Sequence, residues 1–469
     1  MSTPGASRRR ISRPAVSRLR STLPIVAVPL ALAVVVLAAV LAGGPRPSLS
    51  PPLEVPITEV LHACPTTGGW NVATGQLGPG DETTVSVISD DGVTEAPRDP
   101  ALWEVGAPGG DAVVVRQDGD GSGGVAFAAA SGDAVEGGGL AVDTCGGIVD
   151  EAWFVGAGAV TRGVSTLVLT NLSDVPAVAD VELFGVGGVV DAVDSTGLLV
   201  EPGSMRRIRL DELAAGEAEL AVRVVRQRGA LAATVIDTST TGPAGSEVMA
   251  PVPGPARAIT MTGVVPGGGR TLLVANPGES SARAEIEIVG PDGPFVPEGL
   301  AEISVEPGAL VVVPVPDTAG ADASVLRVRS DEPVVASLRM SPTAVDLAYA
   351  TADPTWTGPT VVPVALGSST VPPVVQLSAV ADTSLVTFEG FDAAGASLGT
   401  TVASAAADAV AVVDLAAPGL FTGEVAYVVA TAERPVRGSA VYRSGDLVAV
   451  VPLDAAPTTA IGPRVRPAF

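Results

Sequence analysis

The chain holds one histidine, His62, two cysteines, Cys64 and Cys145, and no lysine among its 27 basic residues. That inventory narrows the chemistry at once. Without lysine there is no Ser–Lys dyad and no Schiff base. His62 stands two residues before Cys64 and about twenty beyond a long apolar run. A general base needs a shaped pocket and an orienting partner, and that position promises neither. Cys64 and Cys145 bracket one stretch of chain. In an oxidising compartment such a pair forms a disulfide. Closing a loop of about 80 residues would stabilise the fold by ~4.5 kcal/mol on chain-entropy grounds. The competing arrangement, a metal site with His62, needs four ligands and finds three.

Asp118, Asp120, Ser122 and Gly123, followed by apolar Val125, occupy positions 1, 3, 5, 6 and 8 of an EF-hand-type loop. Position 12, normally a bidentate glutamate, is Ala129. Asp118, Asp120 and Ser122 are therefore a weak calcium candidate, set against a solvated Asp/Gly hairpin. Gly121-Ser122-Gly123-Gly124 has the form of a protease nucleophile loop but lacks the sequence that should surround it. The 51 acids offer many carboxylate pairs of the kind glycoside hydrolases use, so no single pair is informative. Eight Phe, four Trp and three Tyr also supply few platforms for sugar stacking. Asn171-Leu172-Ser173 fits the glycosylation acceptor pattern. No catalytic residue, resident metal or cofactor is expected.

The elements that would position these residues repeat. Leu167-Val168-Leu169-Thr170-Asn171 returns as Leu272-Leu273-Val274-Ala275-Asn276, and Glu201-Pro202-Gly203-Ser204 as Glu306-Pro307-Gly308-Ala309, both at an offset of 105. Val181, Leu183 and Gly188 likewise return as Ile286, Ile288 and Gly293. A diverged third copy begins near Val374, with Phe388, Gly395, Pro435 and Ser439 in the places of Ile286, Gly293, Pro333 and Ser337. A period this long is a duplicated domain, since solenoid units run ~20–50 residues.

Within the first copy, short apolar runs separated by turn residues predict seven strands: Trp153–Val155, Thr166–Thr170, Ala179–Phe184, Gly197–Val200, Met205–Leu210, Leu220–Arg226 and Ala230–Asp237. The last two read as a hairpin through Gln227-Arg228-Gly229. Val325–Arg329 and Val334–Leu338 read as its counterpart in the second copy. Glu-Pro-Gly reads as a type II turn, and the repeated Asn as a strand end bonding nearby backbone. Seven short strands in ~100 residues predict an all-β fold of tandem immunoglobulin-like or fibronectin-like β-sandwich domains. The Trp–disulfide core of antibody domains is missing from all three copies. A β-propeller with two blades per repeat is the alternative.

Ile25 to Ala42 carries no charge, and Leu23-Pro24 extends it to bilayer length. Six arginines precede it and no acid occurs before Glu54, which sets the N-terminus in the cytoplasm. A transmembrane signal anchor over Leu23 to Ala42 is favoured over a signal peptide cleaved after Val40-Leu41-Ala42. Net charge is −24, and the chain beyond the arginine tail is more negative still, so nucleic acid is not an expected partner. The expected organisation is a cytoplasmic tail (1–22), anchor (23–42), Pro-rich spacer (43–56), disulfide-containing β domain (57–150) and sandwich repeats at 151–255, 256–355 and 356–469.

This order of features resembles a family of uncharacterised, membrane-anchored secreted proteins of actinobacteria. The resemblance rests on the Arg-rich N-terminus, the apolar segment, Cys64-Pro65, Cys145, and Trp153-Phe154-Val155-Gly156 before the first Asn-containing strand. It implies a cell-envelope location and supplies no activity. The expected function is a non-enzymatic, membrane-anchored extracytoplasmic scaffold, its partners being the cytoplasmic membrane and an envelope protein or glycan. The alternatives are an accessory subunit of an envelope glycosyltransferase or polymer-export machinery and, last, a glycoside hydrolase.

Overall fold

Two kinds of strand build the protein, and their side-chain periods tell them apart. Ala177–Gly185 (AVADVELFG) and Ala282–Gly290 (ARAEIEIVG) alternate buried apolar with charged, more exposed residues, the mark of a sheet with one face in a core. Leu231–Ser239 (LAATVIDTS) and Leu447–Pro452 (LVAVVP) are buried almost throughout, the mark of strands covered on both faces. The computed structural model describes residues 53–462 apart from the segments 66–69, 76, 78–81, 90–91, 96–104, 108–111, 119–124, 132–137, 161–162, 240–244, 317–322, 344 and 365–370. Val55–Ala460 forms one unit. The other, 1–54 with 461–469, contributes only Leu53, Glu54, Ile461 and Gly462 to the described residues. The expected anchor, Leu23 to Ala42, lies outside them. Among the described residues no helix is long and apolar enough to cross a membrane.

The strands pair antiparallel as sandwiches of two facing sheets. In the second sandwich the first sheet runs Glu151–Ala157, Leu220–Arg228, Ala177–Gly185, Gly188–Val190. Its second sheet runs Ala159–Val160, Gly163–Asn171, Leu231–Ser239, Gly245–Met249, with Met205–Arg209 also paired to Gly163–Asn171. Phe154, Leu183 and Val222 from one sheet meet Leu167, Leu169 and Val235 from the other in a shared core. The fourth sandwich, Pro359–Pro363 to Leu447–Pro452, has the same order. So does the first, Glu59–Pro65 to Leu140–Thr144, in which no sequence repeat was visible. The facing pairs rule out the propeller arrangement.

One sequence expectation is corrected. Leu220–Arg228 and Leu231–Ser239 are not hairpin partners: they pair with strands of opposite sheets. In the third sandwich their counterparts are a single strand, Ser324–Ser341, which passes from one sheet into the other. A short polar break between apolar runs looks alike in sequence whether the chain folds back within a sheet or crosses over to the facing one.

The repeated Asn and Glu-Pro-Gly act together. Asn171 is buried, and its Nδ2 donates to the carbonyls of Val175 (2.8 Å) and Val200 (3.0 Å). Asn276 repeats this with Ser280 (2.7 Å) and Val305 (3.0 Å). The amide thus ties a strand end to the turn that follows and to the residue before Glu-Pro-Gly. In that turn the Ala309 N–H donates to the Glu306 carbonyl (3.1 Å), and Gly308 takes φ +69°, which favours glycine. With its amide so engaged, Asn171 is a staple and not a glycan acceptor. Asn276→Ala is expected to cost about 1–3 kcal/mol, because two buried carbonyls lose their donor; equilibrium urea unfolding measures it.

The four sandwiches close into a ring. Each second sheet lays its outer face on the first strand of the sandwich before it. Val168, Ile236 and Val248 of the second pack with Cys64 and Val113 of the first. Ser337 Oγ of the third donates to the Val155 carbonyl of the second. Thr262 of the third bonds Ser439 of the fourth (Oγ1–Oγ 2.8 Å). Ala129, Leu140 and Val142 of the first share a core with Val361 and Val362 of the fourth, which closes the circle. The approach is tight. A Cβ on Gly156 would lie 2.9 Å from the Tyr349 ring, and one on Gly263 2.5 Å from Val450.

Candidate functional site

The last strands of the four second sheets begin close together, and one carboxylate organises the meeting. Asp346 of the third sandwich is fully buried. Its Oδ2 accepts from the Val448 N–H of the fourth sandwich (2.8 Å) and the Leu140 N–H of the first (3.3 Å). Its Oδ1 accepts from Leu347 (3.0 Å). Gly245 of the second completes the circle: a Cβ there would sit 2.8 Å from Oδ1, and one on Gly139 2.6 Å. Burial pushes the Asp346 carboxyl up to about 6, and the three N–H donors oppose that rise.

Two further acids are buried where sandwiches join. Between the second and third, Asp237 takes hydrogen bonds from Ser165 Oγ (2.7 Å) and the Tyr349 hydroxyl (2.8 Å). Burial raises its pKa against those bonds, and burial together with the Asp237 charge raises that of Tyr349 well above ordinary. Beside them Arg339 grips Glu219 with both terminal nitrogens (2.9 and 2.6 Å), at the wall of a cavity of about 380 Å³. Burial works against the Arg339 charge, but Tyr349 and Glu219 hold its pKa above the usual value. Between the third and fourth, Asp353 accepts from the Thr262 N–H and from Ser439 Oγ (3.0 Å). Burial pushes it up to about 7.

These shifts fix a pH dependence. A carboxyl raised by folding contributes stability that is complete below its unfolded pKa, near 4, and is lost as pH climbs through the folded value. For Asp346 and Asp353 the loss runs from about pH 4 to about 7. Glu151 has the opposite sign. The Arg223 hydrogen bond lowers its pKa, so its contribution is lost only as pH falls below the ordinary glutamate range. The melting temperature is expected to be higher at pH 5 than at pH 8, as scanning calorimetry across that range would record.

At the other end of the last strands the four linkers surround a cavity of about 580 Å³, whose exposed lining is mostly apolar. Pro251, Pro253, Pro354 and Pro457 come from these linkers. Tyr442 in its wall donates its hydroxyl to the Pro363 carbonyl (2.8 Å). His62 reaches the cavity but is buried, with Nδ1 3.3 Å from the Cys145 carbonyl. Asp454 is raised by burial and held by the Ala455 N–H (2.7 Å). The chain enters the ring here too: the Ile57 N–H donates to the Thr458 carbonyl (3.1 Å), next to Pro457. An apolar cavity of this size with a few inward polar groups suits retention of a small molecule or of a partner's side chains.

Cys64 and Cys145 are joined as a disulfide, with Cα atoms 4.6 Å apart. Of the calcium candidates, Asp118 closes the strand Ala112–Asp118 and accepts from Arg116 Nε (3.0 Å). Asp120 and Ser122 lie outside the described residues. Among the described residues no group of three or more His, Cys, Asp or Glu could hold a metal ion. The buried acids Asp237, Asp346 and Asp353 went unnoticed in the sequence. Their one local signal is an acid set beside an uninterrupted apolar strand, as Asp346 and Asp353 flank Ala348–Thr351.

The fold and its junctions define an all-β protein of four antiparallel sandwiches closed into a ring, with buried carboxylates at its centre and between its units. The chain belongs to a family of unknown function (DUF5719), whose model matches residues 104–416. The match begins at the strand Val105–Ala107 of the first sandwich and ends just past Ala411–Asp414, which holds the same place in the fourth. No curated protein and no solved structure matches the chain.

Proposed function

We propose that this protein is a non-enzymatic scaffold of the bacterial cell envelope, held outside the cytoplasmic membrane by the segment Leu23 to Ala42 and working by binding. The observation that carries this reading is how the ring uses its buried polar groups. Asp237, Tyr349, Asp346, Asp353 and the Arg339–Glu219 pair each bridge one sandwich to another. Groups that elsewhere would be candidates for proton transfer thus serve as joints, and a rigid ring is what a docking platform needs. The apolar cavity among the linkers is its natural contact point. That cavity also favours a second reading, an accessory ligand-binding subunit of an envelope glycosyltransferase or polymer exporter.

Cross-linking of intact cells, followed by purification from detergent-solubilised membranes, tests both. Envelope proteins recovered without an enzyme support the scaffold, and a stoichiometric glycosyltransferase supports the accessory role. Release of reducing sugar from purified cell wall would sink the non-enzymatic reading. Intact mass of the membrane-bound form decides the anchor, because loss of about 42 residues means cleavage.

A further inference from the structure

A chain this acidic has few places for an anion, yet one junction concentrates arginine. A cavity of about 300 Å³ between the third and fourth sandwiches is lined by Arg327, Arg329, Arg437, Asp408, Ser378 and Thr260. Two of the three guanidinium groups are spoken for. Arg327 is mostly buried and bonds Glu287 Oε1 (2.9 Å) and Asp408 Oδ1 (2.9 Å), with its other terminal nitrogen on the Ala407 carbonyl. Arg329, half exposed, holds Glu287 Oε2 (3.0 Å). Arg437 is different. It is partly buried, and among the described residues no hydrogen bond or ion pair engages its guanidinium. Burial, with the like charge of Arg327 added, depresses its pKa, and Asp353 offsets this only in part. The Asp353 carboxylate itself is turned to Thr262 and Ser439.

A half-buried guanidinium with no hydrogen-bonded counter-ion is costly, and a planar fork with free donors pairs best with an oxyanion. We infer that this cavity is an anion-binding site, in which Arg437 makes the principal contact with a carboxylate or phosphate carried on a small polar body such as a sugar. Arg327 is positioned by its two acids to form one wall, and Arg329 stands at the exposed side. The volume admits a ligand of roughly monosaccharide size and not a polymer segment of several units. The surrounding negative charge would exclude anions elsewhere on the surface, so binding here would be local and weakened by salt. The site stands independently of the envelope reading.

Calorimetric titration of the full chain in detergent at low salt tests the inference, with glucuronate and glucose 1-phosphate as probes and glucose as the neutral control. Saturable millimolar binding of either anion, and none of glucose, is expected. Glucuronate alone would identify a carboxylate site, and glucose 1-phosphate alone a phosphoryl site. Arg437→Gln should weaken binding at least tenfold and Arg329→Gln by less, with thermal melts reporting that both fold. Arg257→Gln, at an exposed pair with Glu332, should leave binding unchanged. If neither anion binds, or if Arg437→Gln and Arg329→Gln both bind as the parent does, the inference is wrong.

Discussion

Asp346→Ala is expected to destabilise the ring by about 3 kcal/mol and to loosen all four sandwiches at their common centre. The carboxylate accepts from Val448, Leu140 and Leu347, which belong to three different hairpins. Each buried N–H left without an acceptor costs ~1–3 kcal/mol. Relief of the carboxylate's own burial, which holds its pKa up against those same bonds, returns part of that total. The balance stays unfavourable. Removing an anchor shared by three segments also opens them together, so amide exchange of Leu140 and Val448 should speed up with that of Leu347. Asp346→Asn keeps one acceptor oxygen and should lose less. It should also flatten the part of the pH dependence centred near pH 6. An Ala variant that unfolds at the same urea concentration as the parent would show that the centre is held by apolar contacts alone.

The second large effect is the disulfide. Cys64→Ser with Cys145→Ser is expected to cost about 4–5 kcal/mol, the loop-closure value for the separation of 81 residues. The loss should fall first on the first sandwich. Cys64 is the penultimate residue of the first-sheet strand Glu59–Pro65, and Cys145 follows the second-sheet strand Leu140–Thr144, so the bond pins one sheet to the other. Its surroundings also reach into the second sandwich, through Val168, Ile236 and Val248. Limited proteolysis of the variant should cut within 59–144 before 151–452. Cleavage spread evenly over all four sandwiches would mean that the ring opens as one cooperative unit.

Much of the fold was legible because it is written in local chemistry. The alternation in Ala282–Gly290 needs only one apolar face, and Gly308 in Glu-Pro-Gly needs only a positive φ. Asn276 announced itself by recurring, although its bond to the Val305 carbonyl spans 29 residues. The false hairpin at Gln227–Gly229 marks where local reading stops. The break ends one strand and begins the next, and only the facing sheet decides which way the chain turns. The first sandwich escaped recognition as a fourth copy because strand order survives substitutions that erase every repeated motif. Of the candidate sites, the cysteine pair was plain from its isolation and spacing. Asp346 and Arg437 were not, since an acid or arginine in sequence carries no sign of its burial.

The strands, most of their turns, the duplicated frame, the cysteine pair and the shortage of catalytic side chains can be read from the chain alone. Each of these follows from a residue's own backbone preference or from its near neighbours. That the copies close into a ring emerges only once the sandwiches pack together. Strands such as Leu231–Ser239 declare that both faces are buried, but not against what. The answer depends on surfaces remote in the chain: Gly156 meets Tyr349, 193 residues on, and Gly263 likewise admits Val450. Asp346 and Val448 likewise lie 102 residues apart, and Arg437 and Arg327 are about as far from each other. Their roles come from the electrostatics of shared burial, which exists only once the circle is complete.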